Sequence, residues 1–286
     1  MPSLIDIRRR IRSVKNTQQI TKAMKMVSAA KLRRAQDRVI ASRPYGAMLR
    51  KVLGNIAAAV ANDECAGENP LLARREERSV LVVLITGDKG LAGAFNTNLI
   101  KGAQRFTAER AGASVKLELI GRKGRDFFRK RGATITGDHI NLAAKVVYAD
   151  IAAIAQKAME MYRAEEIDAV YILYNEFKSV VSQKLTVTRV LPVELPQREA
   201  PLDYIFEQPP AEMLAALLPR YVEMEFYRAM LESAAAEHAA RMTAMESATS
   251  NAAEMIDKLT LYMNRVRQAS ITKEIIEVVS GAAAAE

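Results

Sequence analysis

Residues 245–276 read MESATSNAAEMIDKLTLYMNRVRQASITKEII, without a glycine or a proline. Two series of positions seven apart run through them: Met245, Ala252, Leu259 and Val266, and Ala248, Met255, Tyr262, Ala269 and Ile276. Apolar or small residues at alternating spacings of three and four form the seam of a coiled coil. The gap in glycine and proline extends from Arg220 to Ser280. As one helix at 1.5 Å per residue that stretch spans on the order of 90 Å. A compact domain of this mass cannot contain such a rod, so much of it is expected to project.

The other end of the chain repeats the design. From Ser3 to Arg43 there is again no glycine or proline, and Ala, Leu, Met, Lys, Arg and Gln dominate. These are strong helix formers, and Ser3 with Asp6 is a capping start. A narrow apolar seam runs through Leu4, Ile7, Ile11 and Val14. Polar residues interrupt it from Asn16 to Gln19, and it resumes at Ile20, Met24 and Val27, then Leu32, Ala35 and Val39. Pro44 and Gly46 are placed to bend the helix.

Between the rods the pattern changes. Val80–Ile85 (VLVVLI) is a continuous apolar, β-branched run, as in a strand buried on both faces. Val115–Ile120 reads as a strand, Ala143–Met161 as a helix, Ala169–Tyr174 as a second buried strand and Lys184–Val193 as an alternating one. Strands alternating with helices imply a mixed or parallel sheet with helices packed on it. Six prolines from Pro192 to Pro219 mark an extended connector. The expected organisation is an N-terminal helix over 1–60, an α/β domain over 75–195, a connector over 196–212 and a C-terminal helix over 213–286. Each rod has a narrow seam to bury, so the two are expected to pair antiparallel as a long two-helix coiled coil. If they leave the α/β domain near positions 58 and 210, Met24 falls beside Arg241–Met245.

Composition removes several functions. The formal charge is +9, yet Met1–Arg43 alone carries +10, with 12 Lys or Arg against Asp6 and Asp37. A basic helix attracts acidic surfaces, whether nucleic acid, anionic lipid or protein. No apolar run approaches the roughly 18 residues of a membrane span, and no signal-peptide core follows Met1. One cysteine, Cys65, and two histidines, His139 and His238, leave no internal disulfide and no Cys- or His-rich metal centre.

Gly87-Asp88-Lys89-Gly90-Leu91-Ala92-Gly93 follows the first buried strand and precedes a helix, where a phosphate-binding loop would sit. Its GxxGxxG spacing matches neither GxxxxGK[ST] nor GxGxxG, and a tight strand-to-helix turn explains it as well. Gly121–Arg125 reads as a solvated basic turn. No Ser-His-Asp, Cys-His, HExxH or paired-carboxylate set stands out. The residues therefore indicate a mechanical or interaction role, with two alternatives open. A basic coiled coil could bind nucleic acid through Arg8–Arg12, or an enzyme could hold a nucleotide on the Gly87–Gly93 loop.

Ser13–Lys31 (SVKNTQQITKAMKMVSAAK) closely resembles the N-terminal helix of gamma subunits of F-type rotary ATP synthases, in the bacterial form, and Ile271–Ala282 (ITKEIIEVVSGA) resembles their C-terminal signature. Asp203-Tyr204, Arg220–Glu223, Arg241-Met242 and Ala248-Thr249 are similar in spacing, so the resemblance covers the whole chain. The Gly87–Asn96 loop resembles the family's glycine-rich loop, with Lys89 and Ala92 where Arg and Cys variants are usual.

The resemblance implies a rotor shaft without a catalytic site or a cofactor. It would turn in a ring of alpha and beta subunits and rest, with epsilon, on the proton-driven c-ring, at the cytoplasmic face of a bacterial inner membrane. It places Lys22, Met24 and Lys25 at a contact with beta, and Arg267 and Gln268 at a beta loop nearer the tip. It sets Ile271, Ile275, Ile276 and Val279 in an alpha-beta sleeve, and Tyr204 and Glu207 on the side facing the c-ring and epsilon. It implies no nucleic acid, and a membrane reached only through the complex.

Overall fold

The computed structural model describes residues 4–59, 69–195 and 207–283. In chain order the elements are α1 (Leu4–Ala59), β1 (Ser79–Ile85), α2 (Phe95–Glu109), β2 (Ser114–Ile120), α3 (Arg122–Arg129), β3 (Ile135–His139), α4 (Tyr148–Arg163), β4 (Ala169–Phe177), β5 (Gln183–Leu191) and α5 (Pro210–Ala283). They form two compact units. One comprises residues 29–241; the other joins 1–28 with 242–286.

In the larger unit the strands make one five-stranded sheet in the order β3-β2-β1-β4-β5. β1 runs parallel to β2 and β4, β2 parallel to β3, and β5 antiparallel to β4. The apolar run of β1 sits at the centre, and Val80 to Ile85 are all buried. Period-two alternation divides its side chains between two faces. Val80, Val82 and Leu84 join Leu117, Leu119, Ala169 and Leu173 in a cluster covered by Phe95, Leu99 and Phe106 of α2, Phe128 of α3 and Ala236 of α5. Glu118, between Leu117 and Leu119, points the other way and receives Lys157 of α4 at 2.9 Å. α4 therefore covers the opposite face, as right-handed crossovers require.

Three sequence expectations are corrected. Gly121–Arg125 is not a solvated turn: α3 starts at Arg122. The helix expected from Ala143 begins at Tyr148, after a short 3-10 turn over Leu142–Ala144. Lys145 and Val147 are extended there, and the adjacent β-branched Val146 and Val147 favour that conformation. β3 was not expected, because ITGDH carries glycine and aspartate in place of an apolar alternation. As an edge strand it needs only one ladder of hydrogen bonds, to β2.

α1 and α5 also supply the buried wall of the larger unit. Leu32, Val39, Leu49, Leu53 and Ile56 of α1 are buried, as are Leu214, Leu218, Val222, Phe226 and Met230 of α5. Each such side chain contributes roughly 1.5–3 kcal/mol when fully buried. α1 continues through Pro44 as one helix element.

In the smaller unit the first part of α1 pairs antiparallel with the last part of α5. The Thr249 hydroxyl donates to the Thr21 hydroxyl at 2.8 Å, and Lys25 Nζ lies 2.6 Å from Glu246 Oε1. This register differs from the expected one by about two residues, within the error of helix boundaries. Its seam also differs from the apolar reading. Ile20 and Val27 are exposed, whereas Thr21 and Ser28 are buried. Ile7, Val14, Thr21 and Ser28 fall seven apart, so the geometric phase persists where the apolar code lapses. The hydroxyls are tolerated inside because each donates to its own helix, Thr21 to the Gln18 carbonyl and Ser28 to the Met24 carbonyl. On α5 the first series is correct: Met245 and Ala252 are buried, Leu259 and Val266 half-buried. The second lies one residue later than read, at Thr249, Ile256, Met263 and Ser270, which are half-buried, while Met255 and Tyr262 are exposed.

Cysteines placed together by Thr21→Cys and Thr249→Cys are expected to crosslink under mild oxidation, because these side chains already touch. Met24→Cys with Arg241→Cys is expected to react at least about tenfold more slowly, being out of register. Equal rates in non-reducing gels would contradict the observed pairing.

Candidate functional site

Open α/β sheets bind ligands beyond the carboxyl ends of their strands, where the strand order reverses. Here that crevice lies beyond β1 and β4, and the Gly87–Gly93 loop lines it. The chain's own groups occupy part of it. The Gly87 N–H donates to Asn96 Oδ1 at 2.8 Å. Asp88 accepts the Arg122 N–H at the start of α3 and the Asn141 N–H, both at 3.0 Å. The chain's own carboxylate therefore fills the position where an anion would meet that helix terminus.

α5 closes the crevice. Glu237 is buried against Gly87, so closely that a Cβ there would stand 2.9 Å from its carboxyl carbon. Arg241 pairs with Glu237 and donates to the Gly90 carbonyl. At the end of β4, Glu232 accepts the Phe177 N–H at 3.1 Å. Glycine at position 87 thus makes room for a carboxylate of α5. No sequence motif announced this; the only trace is the i,i+4 spacing of Glu237 and Arg241 on one helix face.

A second buried ionic group sits under β2. Glu118 is 1 % exposed. It takes two contacts from Lys157 Nζ, at 2.9 and 3.1 Å, and one from His139 Nε2 at 2.7 Å. Burial pushes its carboxyl up, but the hydrogen bonds from His139 and Lys157 outweigh that and hold it below the usual carboxylate value. The group ties β2, β3 and α4 together. Sequence reading missed it because the three residues are far apart in the chain. Among the described residues no cluster of His, Cys, Asp or Glu could hold a metal, and no helix is long and apolar enough to cross a membrane.

The residues singled out by resemblance fall into separate places. Lys22 is exposed, with no ion-pair partner among the described residues. Met24 is half-buried in the seam. Lys25 already has an internal partner in Glu246, 2.6 Å away. Arg267 and Gln268 are exposed on α5. They lie some 18 residues beyond the partner of Thr21, about 27 Å along the helix. From Ile271 to Ser280 every residue is exposed, including Ile271, Ile275, Ile276, Val278 and Val279. Glu207 is exposed just before α5, and Tyr204 lies outside the described residues. The sequence reading also passed over the outward face of α1 in the smaller unit, where Ile5, Ile20, Met26 and Val27 are all more than half exposed.

A family model described as ATP synthase matches residues 3–285. The ATP synthase gamma chain of Solibacter usitatus is 80% identical over 286 residues, covering all of both chains. That of Anaeromyxobacter sp. is 54% identical, and that of Pelotomaculum thermopropionicum 50%, each along 99% or more of both chains. Among solved structures, a chain of the central stalk and c-ring of the Tetrahymena thermophila mitochondrial ATP synthase is 26% identical, with a TM-score of 0.63 over 80% of this chain and 99% of that one. A chain of the Euglena gracilis mitochondrial enzyme aligns with a TM-score of 0.69 at 20% identity, over 98% of this chain and 94% of that one, a likeness of fold.

Proposed function

We propose how this chain works from one premise: it belongs to the ATP synthase gamma-chain family. It is the central rotor shaft of an F-type ATP synthase, coupling rotation of the c-ring to successive conformations of the catalytic beta subunits. The shaft contacts each beta subunit differently at any instant, so it shifts the three sites among conformers of different affinity as it turns. Bond-making and nucleotide binding belong to the partners, and this chain supplies no cofactor. Alpha and beta surround the helical pair; epsilon and the proton-driven c-ring meet the α/β unit, with Glu207 on that side. The chain then sits peripherally at the cytoplasmic face of the inner membrane, through the complex alone.

The observation that carries this reading is the outer surface of the antiparallel helix pair. It carries exposed apolar side chains (Ile5, Ile20, Met26, Val27, Met255, Tyr262) together with the excess positive charge of α1. Several large apolar side chains left exposed on one helical pair suit an interaction surface, and the basic excess suits acidic loops on the partner. The partly filled crevice at the sheet's carboxyl edge supports a shaft over a nucleotide enzyme, because α5 is anchored where a ligand would bind.

The test is the Lys22→Glu variant, alone and with Lys25→Glu. Helix content by circular dichroism is expected to stay unchanged, because Lys22 is exposed and the Lys25–Glu246 pair is a surface one, worth under about 1 kcal/mol. ATP synthesis by the reassembled enzyme is expected to fall about two- to fivefold, the scale of one or two exposed charge contacts. Met24→Lys adds a charge at the same contact and is expected to act likewise. Wild-type synthesis rates in all three would remove the proposed charge contact with beta.

A further inference from the structure

Lys31, Arg34 and Arg38 stand at i, i+3 and i+7 on α1, so they share one face. On α5, Leu231, Ala234 and His238 share a face with the same spacing. These six residues, with Ala35, Val146 and the turn residues Ala143 and Ala144, line a cavity of about 150 Å³ inside the larger unit. Three cations and an imidazole reach it, and no carboxylate lines it. None of the three cations has an ion-pair partner among the described residues, and all three converge on this one cavity. The nearest acidic group on α5, Glu237, is committed to Arg241.

His238 is held neutral. Burial first, then the positive charges of Arg241 and Lys31, bring its pKa down to about 4. Its Nδ1 lies 3.5 Å from Arg241 Nη1 and accepts there. The neutral ring then keeps its proton on Nε2, as a hydrogen-bond donor. Every polar side chain lining this cavity is thus a donor.

We propose that this cavity is a binding site for a phosphoryl oxyanion, either inorganic phosphate or the terminal phosphate of a nucleotide, held by Lys31, Arg34, Arg38 and His238. The volume equals about five waters at ~30 Å³ each, which suits a tetrahedral group of five heavy atoms. Charge selects the ligand class. A single carboxylate leaves two of the three cations uncompensated, whereas a phosphate dianion with its several acceptor oxygens engages both guanidinium forks and the ammonium. The site is remote from the glycine-rich loop and does not depend on the rotor reading.

The chain's two histidines provide the assay. In the full-length chain at about pH 8, where phosphate is a dianion, the ring resonances of His238 and His139 are followed by NMR. Inorganic phosphate or ATP is titrated in at constant ionic strength held with chloride, and Kd is measured in parallel by calorimetry. His238 is expected to shift saturably while His139, engaged with Glu118, stays in place. Arg34→Gln with Arg38→Gln is expected to weaken binding at least about tenfold; Lys31→Gln is a second, milder variant. Both leave exposed positions, so the unmoved His139 resonance reports an intact fold. A shift with phosphate alone identifies the free ion as ligand, and a shift with ATP alone identifies a nucleotide phosphate. No saturable shift with either overturns the proposal. So does equal affinity in the variants, or a His238 shift produced only by a polyglutamate peptide, which would make the cavity a docking point for an acidic protein.

Discussion

Gly121→Ala is expected to destabilise the α/β unit by about 3 kcal/mol or more. Two terms add. Gly121 has a φ of +96°, a region that residues with a side chain rarely enter. A Cβ there would also stand 2.0 Å from the Thr86 carbonyl oxygen, a backbone atom. Thr86 cannot retreat. Its N–H donates to the Ile120 carbonyl at 2.8 Å, its hydroxyl donates to the same carbonyl, and the hydroxyl accepts the Gly124 N–H at 2.9 Å. The clash falls where β1, β2 and α3 meet, so relief requires separating central strands. Gly112→Ala is the control, since nothing lies within 4 Å of its added methyl; it is expected to stay within about 0.5 kcal/mol of wild type. Urea unfolding followed by far-UV circular dichroism distinguishes the two, and equal midpoints would refute the close approach at Gly121.

Ile276→Glu is expected to abolish most assembly with alpha and beta while leaving the α/β unit folded. In the observed register the described start of α1, Leu4, falls opposite about Val266, so α5 beyond that point has no partner helix among the described residues. Yet Ile271, Ile275, Ile276, Val278 and Val279 follow, and Val278 is 72 % exposed. Positions 275, 276, 278 and 279 cannot share one stripe of a helix, so the apolar surface wraps around it. A helix apolar on several sides is one that becomes enclosed. We take the enclosing element to be an apolar sleeve of the alpha-beta ring, where hydrophobic contact without fixed direction permits turning. Losing one isoleucine's burial, roughly 1.5–3 kcal/mol, and forcing a carboxylate into that sleeve should lower recovered complex about tenfold or more. Deleting residues 282–286, four alanines and a glutamate, should be mild because little apolar area is lost. Size exclusion of reassembled alpha-beta-gamma complex reads both variants. Wild-type recovery with Ile276→Glu would exclude an enclosed tip.

The resemblance and the residue pattern converged on helix, α/β domain, helix because each signal was local. The glycine-free and proline-free ends, the VLVVLI run and the proline-rich connector all act within a few residues of themselves. The seam of α5 through Met245, Ala252, Leu259 and Val266 was legible because apolar letters and helical phase coincide there. At Thr21 and Ser28 they do not coincide. A hydroxyl that bonds back to its own helix is buried as readily as an alanine, and no one-dimensional pattern marks it. β3 was invisible for a related reason, since an edge strand is held by its neighbour's backbone and not by its own side chains.

What the sequence determined by itself was the pair of long helices, the buried strands between them, the family and the basic character of the first helix. Only the tertiary structure decided which groups meet. It set Glu237 against Gly87 and Arg241 over Gly90, so that a loop of phosphate-binding appearance became the anchor of α5. It paired Lys25 with Glu246, and it gathered Lys31, Arg34, Arg38 and His238 around one cavity without a carboxylate. Helix and strand preferences arise from a residue and its near neighbours, whereas electrostatics and hydrogen bonding act through space. Residues some 200 positions apart in the chain meet only after the backbone has folded.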